Sequence, residues 1–252
     1  MTGVNGFVIR FHAIFALKVA IALGKCLYQH HSATIAGNNG ENACDDVGNT
    51  VSLLVAGWHL VIFFKGVRQY PRLLSYYRFL LPLSVLFLLP DWFLVKFTKT
   101  LYFPPNGSFW MIGDAISPCM AGMWSIPGLL ILCAADDPTT TTTRGSEKQL
   151  TAFQYVKAAF TGLLIFGLSE QLLSFVWTRT EHVTSLIGWG EGVMIYVLPA
   201  EFLLGPTILY AYHATKDGET WWHPTIGAAM TMLVYTGALS LGLLAFEDSQ
   251  VW

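Results

Sequence analysis

Apolar runs nearly as long as a bilayer is thick recur along this chain, and they leave it few folds to adopt. A helix needs about 20 apolar residues to span the hydrocarbon. Seven stretches approach that length, roughly 7–27, 49–66, 77–98, 113–135, 152–177, 186–212 and 223–246. Composition agrees: 54% of the 252 residues are hydrophobic and 12% are charged, against about 25% charged in an average soluble domain. The chain therefore reads as all-α. It is one integral-membrane bundle of seven transmembrane helices, a single domain over residues 1–252. The first run carries Arg10, His12 and Lys18 and has no small-residue cleavage site, so it differs from a cleavable signal peptide.

Lys and Arg set the orientation. With seven spans, the N-terminus and the loops after spans 2, 4 and 6 share one side. That side collects Arg10, Lys65, Arg68, Arg72, Arg78, Arg144, Lys148 and Lys216. The other holds mainly Lys25, Lys96, Lys99 and Arg179. The excess of cations makes the first side cytoplasmic, with the C-terminus lumenal. Asn106-Gly107-Ser108 has the form of a glycosylation acceptor and falls on the lumenal side. The net charge of −2 gives no reason to expect a nucleic-acid partner.

Against this apolar background a few acids stand out. Asp91 lies in Leu89-Pro90-Asp91-Trp92-Phe93-Leu94, Glu170 in Leu168-Ser169-Glu170-Gln171-Leu172-Leu173, and Glu201 in Leu198-Pro199-Ala200-Glu201-Phe202-Leu203. A carboxylate at the centre of a membrane helix costs about 2.5–3.5 kcal/mol on insertion scales and is retained where it faces a cavity. The orientation puts Asp91 and Glu170 in the outer halves of spans 3 and 5. Asp114 and Glu191 fall near the outer ends of spans 4 and 6, with Glu201 near the middle of span 6. The acids thus gather towards one end of the bundle. A weak parallel repeat points the same way, with spans 3–4 echoing spans 5–6. The Asp91 stretch echoes the Glu170 stretch, and Met123-Trp124-Ser125-Ile126-Pro127 echoes Ile195-Tyr196-Val197-Leu198-Pro199.

Apolar surroundings disfavour the charged form of a carboxyl, which suits it to act as a general acid. Each acid could instead pair with a cation and only hold helices together. The aromatic rings of Trp58, Trp92, Trp110, Trp124, Trp177, Trp189 and Tyr196 are spread over the same spans. Ring faces stabilise cations by about 0.5–2 kcal/mol each, and interface belts use the same residues. A pocket of acids and rings suits a reaction that starts by protonation and passes through carbocations. His59, beside Trp58, could hydrogen-bond an acid or serve the fold.

Other chemistries find less support. The histidines and the four cysteines show no metal-ligand spacing, and Asp45-Asp46 is an acidic doublet just ahead of the second span. No Asp-rich motif of the kind that holds magnesium and a diphosphate is present. The last span, Thr225 to Phe246, has no lysine for a retinal Schiff base. Cys26 and Cys44 would pair on an oxidising side, or all four thiols stay free.

Leu198-Pro199-Ala200-Glu201-Phe202-Leu203-Leu204 resembles the proline-and-glutamate signature of small integral-membrane lycopene cyclase domains. In length, span number and texture the chain is also similar to the membrane-bound terpene cyclases of fungal meroterpenoid pathways, most of all over Leu89 to Pro127. The resemblance implies a metal-independent cyclase without a cofactor. Its partners would be a lipophilic prenylated substrate and membrane lipid. Separately, the termini show no other address, so the endoplasmic reticulum is the expected location. Asp91 or Glu170 would protonate a terminal epoxide or alkene, with Glu201 as a second carboxylate. Substrate contacts are expected from Trp58, His59, Trp92, Trp110, Asp114, Trp124, Trp177, Glu191 and Tyr196. A carrier of small solutes or protons is the alternative that the same residues allow.

Overall fold

Prolines and apolar length together decide where the helices begin and bend. A computed structural model describes residues 5–18, 47–103, 111–136, 142–144, 147–172, 177–180, 183, 186–187, 192–218 and 220–247. Helix α1 covers 5–18. Helix α2, Val47–Val61, runs on into a π-helical turn, Ile62–Val67. Helix α3, Pro71–Leu86, starts on a proline, whose fixed φ and missing N–H suit a first helical turn. Pro90 cannot donate to the carbonyl of Leu86, and its ring crowds that turn. The helix is accordingly interrupted at Phe87 and resumes as α4, Leu88–Lys96. Helices α5, Met120–Met123, and α6, Ser125–Ala135, are likewise separated at Trp124. Three long helices follow: α7 (Ala152–Leu172), α8 (Leu198–Thr215) and α9 (Trp222–Phe246).

Among the described residues, five helices are long and apolar enough to cross a membrane: Asn49–Val67, Pro71–Lys96, Ala152–Gln171, Ile195–Thr215 and Trp222–Phe246. The seven runs read from the sequence differ from these in instructive ways. The third begins at Pro71 rather than at 77, because Arg72 is accommodated by an acid partner described below. The fourth gives the shorter Met120–Ala135. Upstream of it, Gly113 and Asp114 adopt positive φ and close a tight turn on the Ile112–Ile116 bridge, which no helix can contain. The sixth begins at Ile195, not 186. The preceding chain pairs strand β5, Leu186–Ile187, with β6, Val193–Met194, and Gly192 has a φ of 72°. The first run is described only to residue 18, and its remainder lies outside the described residues, as do Cys26, Cys44 and Asn106-Gly107-Ser108.

The remaining strands are short. Strand β1, Leu101–Tyr102, pairs antiparallel with β4, Thr178–Arg179. A hairpin of β2, Thr142–Arg144, and β3, Glu147–Gln149, occupies the loop before α7.

Packing closes the helices into a ring. Helix α3 touches α6, α6 touches α7, α7 touches α8, α8 touches α9, and α9 returns to α3. Helix α2 leans on α5, and its π-helical turn on α3. Large apolar side chains such as Leu53, Phe160, Leu164, Leu233 and Leu241 face outward, more than half exposed. That is surface a bilayer would cover. Helices α7 and α8 approach until a Cβ on Gly205 would collide with the carbonyl of Ala158, while a Cβ on Gly167 would meet open space. Small residues allow such close crossings where water is absent.

One end of the ring is tied by Asp136, just past α6. Its carboxylate meets the Arg72 guanidinium at 2.9 Å and accepts hydrogen bonds from Tyr76 Oη at 2.7 Å and His213 Nε2 at 2.9 Å. Arg72 also bonds the Asp136 carbonyl. Burial opposes the charge on Asp136, but the hydrogen bonds from His213, Arg72 and Tyr76 outweigh it and hold the carboxyl well below the usual range. Three helices, α3, α6 and α8, are thereby joined.

Two stability measurements check this packing. Gly205→Ala should cost about 1–3 kcal/mol by forcing α7 from α8, whereas Gly167→Ala should be neutral or slightly stabilising. Thermal unfolding in detergent reads both. Asp136→Asn should cost about 3–5 kcal/mol at neutral pH by leaving Arg72 with a broken buried pair. A carboxyl held low in the folded state stabilises fully above its unfolded value, about 4, and loses that contribution as the pH falls from there through the lower folded value. The gap between wild type and Asp136→Asn should therefore narrow under acid.

Candidate functional site

The other end of the ring is open to different use. A cavity of about 480 Å³ lies there, within the range of small-molecule sites. Its wall is mostly apolar, but Asp91, Glu170 and Glu201 all line it, from three different helices. Asp91 sits in the first turn of α4, immediately past the Pro90 kink. It is 3% exposed, and its Oδ2 accepts a hydrogen bond from Trp124 Nε1 at 3.1 Å. Glu170 lies in the last turn of α7 and accepts a hydrogen bond from the indole of Trp177. Glu201 lies in the first turn of α8 and is 2% exposed. Among the described residues its Oε2 has no hydrogen-bond partner.

The rings that back these acids come from the helix breaks. Phe87, at the α3–α4 interruption, lies 4.6 Å from Trp124 and stacks on Tyr235 of α9 at 5.0 Å, centroid to centroid. Trp124, at the α5–α6 interruption, lies 5.2 Å from Phe166 and 5.5 Å, edge-on, from Tyr235. Tyr235 is within electrostatic range of all three carboxyls. Helices α1 and α2 close the remaining side with His12, Phe15, Val51 and Val55. Such an arrangement can shield a reacting chain from water, deliver a proton and face a cation with aromatic rings.

The structure brings five of the residues named from the sequence to this cavity: Asp91, Glu170, Glu201, Trp124 and Trp177. Five others lie elsewhere. Trp58 is buried behind the wall, where its Nε1 donates to His12 Nε2 at 3.2 Å. His59 bonds Tyr77 Oη at 2.7 Å and the Gly122 carbonyl at 3.0 Å, a link between helices. Trp92 follows Asp91 directly, so the helix turns it about 100° away; it is 39% exposed and packs on Phe97. Asp114 occupies the tight turn described above, exposed. Tyr196 is fully buried and donates to Thr100 Oγ1 at 3.0 Å. Trp110 and Glu191 lie outside the described residues.

Sequence reasoning passed over Tyr235, Phe166 and the cavity-facing position of His12. The available signal for Tyr235 was a single hydroxyl-bearing ring in the middle of an apolar span, Leu233-Val234-Tyr235-Thr236.

A family model described as a domain of unknown function, DUF6989, matches residues 88–246. The chain belongs to the DUF6989 family. No curated protein and no solved structure matches it. The DUF6989 region starts at the first residue of α4 and ends at the last residue of α9. It therefore contains all three carboxyls and the rings of Trp124, Phe166, Trp177 and Tyr235. Helices α1 and α2 lie outside the DUF6989 region and add mainly apolar wall.

The Trp124–Asp91 contact has a measurable weight. Trp124→Phe keeps a ring and removes the N–H, and should cost about 1–3 kcal/mol. Trp92→Phe, on the exposed side of the same turn, should stay within about 0.5 kcal/mol. Unfolding of both variants in detergent checks this.

Proposed function

We propose that the protein is a membrane-bound cyclase that folds a prenylated substrate into rings by acid-initiated carbocation chemistry, without a metal or cofactor. The observation that carries the reading is the meeting of three carboxyls and several aromatic rings on one otherwise apolar cavity. It rests as well on the resemblance to membrane terpene cyclases noted from the sequence. In this reading α1 and the α5–α6 pair supply two further crossings, for seven in all. The N-terminus is cytoplasmic and the C-terminus lumenal, in the endoplasmic reticulum.

The parallel repeat belongs to the same reading. Each acid-bearing helix, α4 and α7, leads into a short strand, and those two strands, β1 and β4, pair with each other. Each strand is followed by a tight antiparallel turn, Ile112–Ile116 or β5–β6, and then by a helix holding a proline in its first turns. Two related halves facing each other would aim their acids at a shared space.

Chemically, a carboxyl gives its proton to the oxygen of a terminal epoxide. The C–O bond breaks, leaving a hydroxyl group and a tertiary cation. Alkenes of the same chain close onto the cation, C–C bonds form, and a carboxylate takes up the proton lost at the end. No atom is gained or lost overall, so the product is an isomer of the substrate. An alkene terminus would accept the proton at carbon instead. Trp124, Phe166, Trp177 and Tyr235 would face the cation, each contributing about 0.5–2 kcal/mol.

The test is product analysis from microsomes fed an epoxyfarnesylated phenol and, in parallel, its olefinic parent. The wild type should yield a cyclised isomer. Asp91→Asn and Glu170→Gln should lower its rate about 10²–10⁴-fold, with the protein still folded. Full turnover in both variants sinks the acid mechanism. A folded wild type that makes no isomer from either substrate, but drives solute-dependent flux in vesicles, would make the protein a carrier.

A further inference from the structure

The three carboxyls of the cavity are not equivalent. Asp91 and Glu170 each accept a hydrogen bond from an indole, Trp124 and Trp177 respectively. Glu201 is as deeply buried as Asp91, yet among the described residues its Oε2 has no partner. Opposite stands Tyr235, 4% exposed, on the helix packed most extensively against α8. Its ring lies against both Phe87 and Trp124, with centroids at 5.0 and 5.5 Å. Both side chains line the same cavity, and among the carboxyls Glu201 acts most strongly on Tyr235 electrostatically.

A buried polar group without a partner costs about 1–3 kcal/mol, and such groups are rare in folded proteins. Such an oxygen on Glu201, in an apolar cavity that Tyr235 also lines, marks a place where a ligand supplies the missing partner. Ionised, Glu201 would set an unpaired charge against an apolar wall. As the neutral acid it has one O–H to donate, and the Tyr235 hydroxyl has another. Two donors on the wall of one apolar cavity suit a neutral oxygen, which accepts through two lone pairs. Towards Phe15, Val51 and Val55 the wall is mostly hydrocarbon, with His12 beside it, and offers a hydrocarbon chain its contacts.

We infer that Glu201 and Tyr235 together anchor a neutral oxygen carried on the hydrocarbon chain of the ligand. The inference rests on the reading of this cavity as a substrate site. It adds that Glu201 is the carboxyl that meets the substrate's oxygen, and that Tyr235 is its partner in binding. Prenyl alcohols and epoxides share this chemistry with fatty alcohols derived from membrane lipid.

The experiment is competition for photolabelling. Full-length protein in nanodiscs is labelled with a diazirine-bearing farnesol, and three competitors are titrated: farnesol, the triene hydrocarbon that lacks its hydroxyl, and hexadecanol. Wild type should favour farnesol over the hydrocarbon about tenfold, the worth of one or two hydrogen bonds. Glu201→Leu and Tyr235→Phe should each erase most of that preference without changing competition by the hydrocarbon, which shows that the cavity is still formed. Glu201→Gln, which keeps an N–H donor, should retain it, and Trp92→Phe, away from the cavity, should match wild type. Hexadecanol competing as well as farnesol would keep the anchor and assign its ligand to membrane lipid. Equal competition by farnesol and hydrocarbon in wild type, no saturable labelling, or a preference that survives in both Glu201→Leu and Tyr235→Phe overturns the inference. Failure of the cyclase reading looks different, since the labelling pattern would hold while no isomer formed. An isomer made at the wild-type rate by Glu201→Leu and Tyr235→Phe would remove the anchor and leave the cyclase.

Discussion

A carboxyl group among apolar helices needs hydrogen-bond partners, and the architecture of this protein follows from where those partners are supplied. At one end of the ring Asp136 is saturated by Arg72, Tyr76 and His213, so its charge serves as a clamp on three helices. At the other end Asp91 and Glu170 receive one indole each, and an oxygen of Glu201 receives nothing. The same residue class thus does two jobs. Saturated, it holds the fold, and a buried pair is costly to break. Undersatisfied, it is a destabilising feature that calls for an explanation outside the fold's own hydrogen bonds.

The open end is also where the helices are irregular. Pro90 interrupts the first long helix at Phe87, and Trp124 stands at a second interruption. These breaks turn two large rings towards Tyr235 and place Asp91 just beyond a bend. Irregular backbone at membrane depth is tolerated where it is buried in protein or lines a cavity, and both breaks lie at this one. The straight parts of α7, α8 and α9 pack closely through glycines instead, and give the cavity a rigid frame.

The family region and the cavity divide the labour along the chain. Residues 88–246 carry the carboxyls and most of the rings. Helices α1 and α2 precede that region and cover the cavity with hydrocarbon, while His12 ties them together through Trp58. Changes in these two helices would reshape the space offered to a chain-like ligand while leaving the acids in place.

Apolar length and the isolated acids were legible in the sequence, because the cost of a polar backbone or a carboxyl in hydrocarbon depends on composition within a single segment. That reasoning found the candidate spans at 49–67 and 222–246 nearly to the residue, overran the one at 152–171 by six residues at its end, and singled out Asp91, Glu170 and Glu201. It ran long at 113 and 186, where Gly113, Asp114 and Gly192 take backbone angles that average hydropathy cannot register. Which acid would be capped, which left open and which tied to Arg72 was decided by tertiary structure alone. So was the fate of the aromatic residues. Trp58, Trp92, Trp124 and Tyr196 look alike in a linear reading, yet one backs a histidine, one faces outward, one holds an acid and one bonds a threonine. A hydrogen bond needs two groups within about 3 Å, and residues 33 positions apart, such as Asp91 and Trp124, meet only after the ring of helices has closed.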